Sequence, residues 1–251
     1  MTSLRRIALA TALAVGLAAC GDNGGDATMS GEPIAPIAAP EGQSWVDVAV
    51  ETPEGGIRLG NPDAPIKLIE FVSHTCPACA AFAAQAAEPL KQDYVSTGVV
   101  SYEMRNQVHN AIDLALVRLT RCSGDPAATI PLAEQVWANL QQVLEPAQRN
   151  PQVIQQAMSL PEEQRFPALA QNTGLIDFFA ARGLARDQQV RCLSDFSAMQ
   201  AIADRSDRQS QELDVTGTPT FFLNGRLVEL TNAPMWPQVQ AALQNAGARK
   251  R

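Results

Sequence analysis

The run Ile66-Lys67-Leu68-Ile69-Glu70-Phe71-Val72-Ser73-His74-Thr75-Cys76-Pro77-Ala78-Cys79 decides the fold of this chain. Its opening Ile66–Val72 is apolar apart from Lys67 and Glu70. It follows a turn at Asn61-Pro62-Asp63-Ala64-Pro65 and reads as a strand buried on both faces. An alanine-rich helix then starts at Cys76 and runs to about Tyr94. Pro77 suits the first helical position, where a missing N–H leaves nothing unpaired. Residues three apart share a helix face, so the Cys76 and Cys79 thiols meet at the first turn. The free N–H groups and partial positive charge of a helix start stabilise a thiolate. The Cys76 pKa is therefore expected below the ordinary thiol value of about 8.5.

Other uses of this cysteine spacing fit less well. Zinc usually needs a second pair or histidines at ligand spacing. Here there is no second C-x-x-C, and the only histidines are His74 and His109, so no metal is expected. A purely structural disulfide is the other alternative. A strand leading through Cys-Pro-x-Cys into a helix favours redox chemistry over it.

Glu70 lies six residues before Cys76, on the strand face it shares with Leu68 and Val72. A buried carboxyl has a raised pKa, and it could accept a proton from Cys79 during exchange. A structural carboxyl paired with Lys67 or another cation is the alternative. His74, if protonated, would lower the Cys76 pKa further; an exposed turn histidine is the plain reading. His109 reads as structural.

Downstream of the pair, Val99–Arg105 has strand character, and strand–helix–strand implies a parallel pair. Positions 111–213 read as almost entirely helical, with starts at Asp125-Pro126, at Ser159 to Glu163 and at Asp187. Trp137, Phe166, Phe178, Phe179 and Phe196 read as core. Strands return at Thr218 to Leu223 and Arg226 to Leu230, joined by Asn224-Gly225, a strong hairpin signal. A last helix is expected from about Pro234 to Ala246. Upstream, Trp45–Val50 and Gly56–Leu59 read as short edge strands.

Residues 1–19 read as a targeting segment. Arg5-Arg6 precede a 13-residue apolar run, Ile7–Ala19, too short for a stable membrane-spanning helix. The run ends Leu17-Ala18-Ala19-Cys20-Gly21, which resembles the lipobox of bacterial lipoproteins. The resemblance implies lipidation at Cys20. An ordinary signal peptide with an incidental cysteine is the alternative. Gly21, rather than Asp, after the cysteine leans towards the outer membrane. Residues 20–43 read as a flexible tether rich in Gly, Pro and Ala. Loss of Arg5 and Arg6 takes the net charge from −7 to −9, which argues against nucleic acid as a partner.

Without Cys20, four cysteines remain, an even number that fits an oxidising compartment. Three pairings are formally possible. Because Cys76 and Cys79 share one turn, Cys122 is expected to pair with Cys192, 70 residues on, as a structural disulfide. A second redox-active pair is the sharper alternative.

The chain resembles the thioredoxin superfamily, and within it the DsbA-like thiol–disulfide oxidoreductases of the periplasm. Cys76-Pro77-Ala78-Cys79 after an apolar strand, Thr218-Pro219 opening the strand before a hairpin, and the helical insertion between them carry the resemblance. It implies an α/β thioredoxin fold, βαβ and ββα halves at 44–110 and 214–251, with an all-helical insertion at 111–213. It implies Cys76 as nucleophile, Cys79 as resolving thiol, a cis Pro219, and Thr218 and Pro77 beside the substrate. DsbA-like proteins carry an acid at the position matching Glu70. No cofactor is implied. The implied partners are thiol-containing exported proteins and a membrane or periplasmic redox partner. Thr218 is more like the isomerase relatives. Those dimerise through an added N-terminal domain, where this chain has a short tether, so a monomeric dithiol oxidant is expected. A reductase or isomerase is the nearest rival. A copper-binding thiol module or a redox-inert scaffold are the readings from other classes. Copper-delivering relatives usually have wider cysteine spacing and a downstream histidine ligand, and here only His109 lies downstream.

Overall fold

A computed structural model describes residues 31–231 and 234–251. The expected leader at 1–19 and Cys20 lie outside the described residues. Strands β1 (Ala49–Glu51), β2 (Ile57–Leu59), β3 (Ile66–Val72), β4 (Val100–Asn106), β5 (Thr220–Leu223) and β6 (Arg226–Leu227) form one sheet. Their order is β1-β2-β4-β3-β5-β6. β3 is central, parallel to β4 from Ile66↔Val100 to Val72↔Asn106 and antiparallel to β5. Asn224 and Gly225 take positive φ, 50° and 79°, which closes the β5–β6 hairpin with a turn matched to strand twist.

β3 is less enclosed than its apolar run suggested. Leu68, Glu70 and Val72 are buried on one face, whereas Lys67 on the other is exposed and Ile69 half-buried. Only Phe71, with Val215 and Phe222, makes a small core there. Against the first face pack α1 (Pro77–Pro89) and α10 (Trp236–Asn245), joining Phe82, Tyr94, Phe221 and Trp236 into the main core. The helix after Cys76 does reach Tyr94, but its last turn, Leu90–Tyr94, widens to a π-helix. Pro89 lacks an N–H, and its ring crowds the carbonyl one turn back.

Eight helices separate β4 from β5: α2 (Ala111–Arg121), α3 (Pro126–Ala138), α4 (Leu140–Arg149), α5 (Gln152–Met158), α6 (Glu162–Asn172), α7 (Leu175–Ala180), α8 (Arg186–Ser194) and α9 (Phe196–Glu212). They build a second core around Leu116, Leu119, Leu169, Leu175 and Phe179. α3 is shared, because its Ile130, Ala133 and Trp137 pack into the sheet's core. Cys122, just past α2, and Cys192 on α8 form a disulfide.

Residues 31–37, expected as part of the tether, are paired to the folded domain. Gly31 N–H donates to the Asn245 carbonyl, Ile34 N–H to Gly247 at 2.9 Å, and Ile37 N–H to Thr97 at 2.8 Å. Trp45, buried in a short 3-10 turn (Trp45–Asp47), donates its Nε1–H to the Ile37 carbonyl at 2.8 Å. This segment has no periodicity because its pairing is backbone to backbone and leaves no side-chain pattern.

Candidate active site

The site forms where β3 ends, α1 begins and the loop before β5 passes. Cys76 caps α1 in an extended conformation (φ −85°, ψ 119°), with Pro77 in the first turn. The cap exposes Sγ while aiming it at the free N–H groups behind it, and Cys79 N–H reaches it at 3.4 Å. Across the site, the Thr218–Pro219 peptide bond is cis. It brings the Thr218 carbonyl to 3.2 Å from Cys76 Sγ, close enough to accept the thiol proton. Both cysteines are reduced; Cys76 is half-buried and Cys79 buried.

The two thiols are driven apart in pKa. That of Cys76 is pushed down to about 5. The main cause is the hydrogen bond from the Cys79 thiol; burial opposes it, and Thr218 and the N–H groups of Ala78 and Cys79 add to the lowering. Thr218 Oγ1 is buried without a partner, so it is free to donate once the thiolate forms. Cys79 is pushed far above the ordinary thiol value. Its thiol keeps its proton while donating a hydrogen bond to Cys76, is desolvated, and faces the charge of Glu70.

Glu70 is 3% exposed, and burial raises its pKa to about 8. Its Oε2 accepts a 2.7 Å hydrogen bond from Tyr102 Oη, which pulls the value back, while negative charge on Cys76 raises it. Lys67 lies on the opposite face of β3, so the pairing with Glu70 weighed from the sequence does not form. Among the described residues no cation makes a salt bridge to Glu70; the partner is Tyr102, a residue the sequence reading passed over. A small cavity behind Glu70 is lined by Tyr102, Phe82, Trp137, Lys91 and Glu134. Lys91 Nζ meets Glu134 Oε2 at 3.0 Å, and both are partly exposed.

His74 is corrected. It is 1% exposed, and its pKa falls to about 3, because burial and then the charge of Arg121 disfavour the imidazolium. It is neutral at physiological pH and gives Cys76 no positive charge. Its ring stacks on Trp137 at 5.5 Å, and Nδ1 lies 3.3 Å from Asn106 Nδ2. Trp137 does more than fill the core, since its Nε1–H donates to the Ser73 carbonyl at 3.1 Å. Asp113, fully buried, accepts from the N–H groups of His74 (2.8 Å) and His109 (2.9 Å). Burial raises its pKa. These two residues fix the turn before Cys76 to the helical insertion. The available signal for Asp113 was an acid three residues after Asn110, the α2 N-cap whose side chain accepts from Asp113 N–H. Among the described residues no three of His, Cys, Asp and Glu gather as metal ligands.

A family model described as Thioredoxin matches residues 52–245. The chain belongs to the thioredoxin family. A crystal structure of a protein-disulfide isomerase from Novosphingobium aromaticivorans is 32% identical, with a TM-score of 0.68 over 74% of this chain and 96% of its own. Wolbachia pipientis alpha-DsbA1, 21% identical, shares the fold, with a TM-score of 0.59 over 78% of this chain and 94% of that one. A putative protein-disulfide oxidoreductase of Rickettsia bellii (strain RML369-C) is 25% identical over 178 residues, 71% of this chain. The chain spans 60% of that relative's length. The CxxC–helix junction, the buried acid on β3 and the cis proline stand together here around the half-buried sulfur of Cys76.

Proposed function

We propose that this protein is a periplasmic thiol–disulfide oxidoreductase that oxidises cysteine pairs in exported proteins. The observation that carries the reading is the separation of the two thiols, with Cys76 near pKa 5 and Cys79 far above the ordinary range. A stabilised Cys76 thiolate favours the reduced form and makes the Cys76–Cys79 disulfide a strong oxidant.

A substrate thiolate attacks Cys76 Sγ of the disulfide; the new S–S bond forms and Cys79 leaves. Protonated Glu70 gives its proton to Cys79, whose high pKa draws it. A second substrate thiolate then attacks the substrate sulfur of the mixed disulfide. The substrate disulfide forms, and Cys76 departs as a thiolate held by Cys79 and Thr218. When the site is reoxidised, Glu70 takes the Cys79 proton back. Thr218 and cis-Pro219 offer an extended substrate segment a backbone edge beside Cys76. An oxidant partner in the membrane or periplasm completes the cycle. Cys20 would hold the monomer to the membrane by lipid, with the outer membrane favoured.

Isomerisation is the second reading, favoured by the name of the Novosphingobium relative. The equilibrium potential of the Cys76–Cys79 pair against glutathione tests both. A value near about −120 mV supports the oxidant. A value near about −180 mV supports the isomerase, and one near about −270 mV a reductant.

A further inference from the structure

We propose that the cleft where Arg105, Arg121 and Arg205 converge is a binding site for a small tetrahedral oxyanion of the phosphate type. The cleft lies between the sheet and the helical insertion. The β1–β2 turn brings Glu54 and Gly55, the end of β4 brings Arg105, α2 ends in Arg121, and α9 brings Arg205.

The guanidinium groups are placed but sparsely used. Arg105 Nε–H donates to Glu103 at 2.7 Å, and Arg121 Nη2 donates to Asn106 Oδ1 at 2.9 Å. The other carboxylates stand off: Glu51 is 3.7 Å from Arg121 and 3.9 Å from Arg205, and Glu54 is 3.8 Å from Arg105. Those separations are ion pairs without hydrogen bonds. Arg121 Nε is buried with no partner at all. Arg205 lies over Gly55, where a Cβ would collide with its guanidinium, so the glycine leaves the space that group occupies.

Like charges gathered at low exposure repel. Arg121 is 13% exposed and has its pKa lowered by burial; the charge of Glu51 opposes this, and Arg205 and Arg118 add to the lowering. That arrangement is stabilised by an anion with more than two acceptor oxygens. Guanidinium forks match phosphate oxygens two at a time. The Glu51 and Glu54 side chains, 57% and 49% exposed, can turn to solvent as it enters. A bound anion would join both halves of the molecule and stabilise the folded state by mass action.

The test titrates inorganic phosphate into the full chain at fixed pH, with sodium chloride holding ionic strength constant. Melting midpoint and calorimetric heat are read together. Phosphate is expected to raise the midpoint saturably, and Arg205→Gln and Arg121→Gln each to weaken binding about tenfold or more. Arg149→Gln, on an exposed stretch of α4, should keep the response. If Arg121→Gln fails to fold, Arg205→Gln carries the test. A response no larger than that to chloride, an equal response to acetate, or wild-type binding by Arg205→Gln overturns the proposal.

Discussion

Tyr102 Oη donates a 2.7 Å hydrogen bond to Glu70 Oε2, and among the described residues no salt bridge to Glu70 stands beside it. Tyr102 favours the charged carboxylate, whereas burial disfavours it. Removing the hydroxyl in Tyr102→Phe should therefore raise the Glu70 pKa above its value of about 8. The alkaline limb of the exchange-rate profile should move to higher pH, with the fold retained. An unchanged profile would separate Tyr102 from the proton step.

Glu70→Gln tests the same carboxyl through stability. The folded-state pKa, about 8, lies above the ordinary 4.5, so the folded protein holds the proton more tightly. Its contribution is therefore complete below about pH 4.5 and is lost as pH rises through 8. Glu70→Gln should be more stable than wild type at pH 8, by at most about 5 kcal/mol. It should also slow turnover. Denaturation curves at pH 4.5 and pH 8 check the first, and single-turnover exchange the second; equal stability differences at both pH values would contradict the raised pKa.

The reduced protein should show a thiolate ultraviolet absorbance that titrates near pH 5. Cys76→Ser should abolish it and abolish exchange. Cys79→Ala should move the midpoint upward, because the Cys79 thiol is the main stabiliser, and should accumulate mixed disulfides with substrates. No adducts on non-reducing gels would count against the proposed order of attack.

Cys122 and Cys192 close a loop across 70 residues. Replacing both with alanine should destabilise the fold by about 4 kcal/mol on the chain-entropy account, and lower the melting midpoint by roughly 10 °C. Peptide oxidation below the new midpoint should persist, since neither sulfur contacts Cys76. Loss of oxidation in the folded variant would give the second disulfide a redox role.

The central strand, the cysteine pair, the hairpin and the Thr218–Pro219 motif were legible because each is a contiguous run with its own local pattern. The raised pKa of Glu70 was also legible, from its place on an apolar strand. Its partner was not: Tyr102 is 32 residues away, and only the parallel register of β3 and β4 brings them together. His74 misled for a related reason. A histidine in a turn looks exposed until Trp137 and Asp113, both from the helical insertion, close over it.

The backbone lacing of residues 31–37 sets a geometry for any membrane attachment. Thr97, Asn245 and Gly247 receive it at the pole where β3 and β4 start, one strand length from the sulfur of Cys76. Residue 31 therefore enters the domain at the end of the sheet opposite Cys76, so whatever precedes it joins the molecule away from the reactive sulfur, and a substrate thiol reaches that sulfur from the other pole.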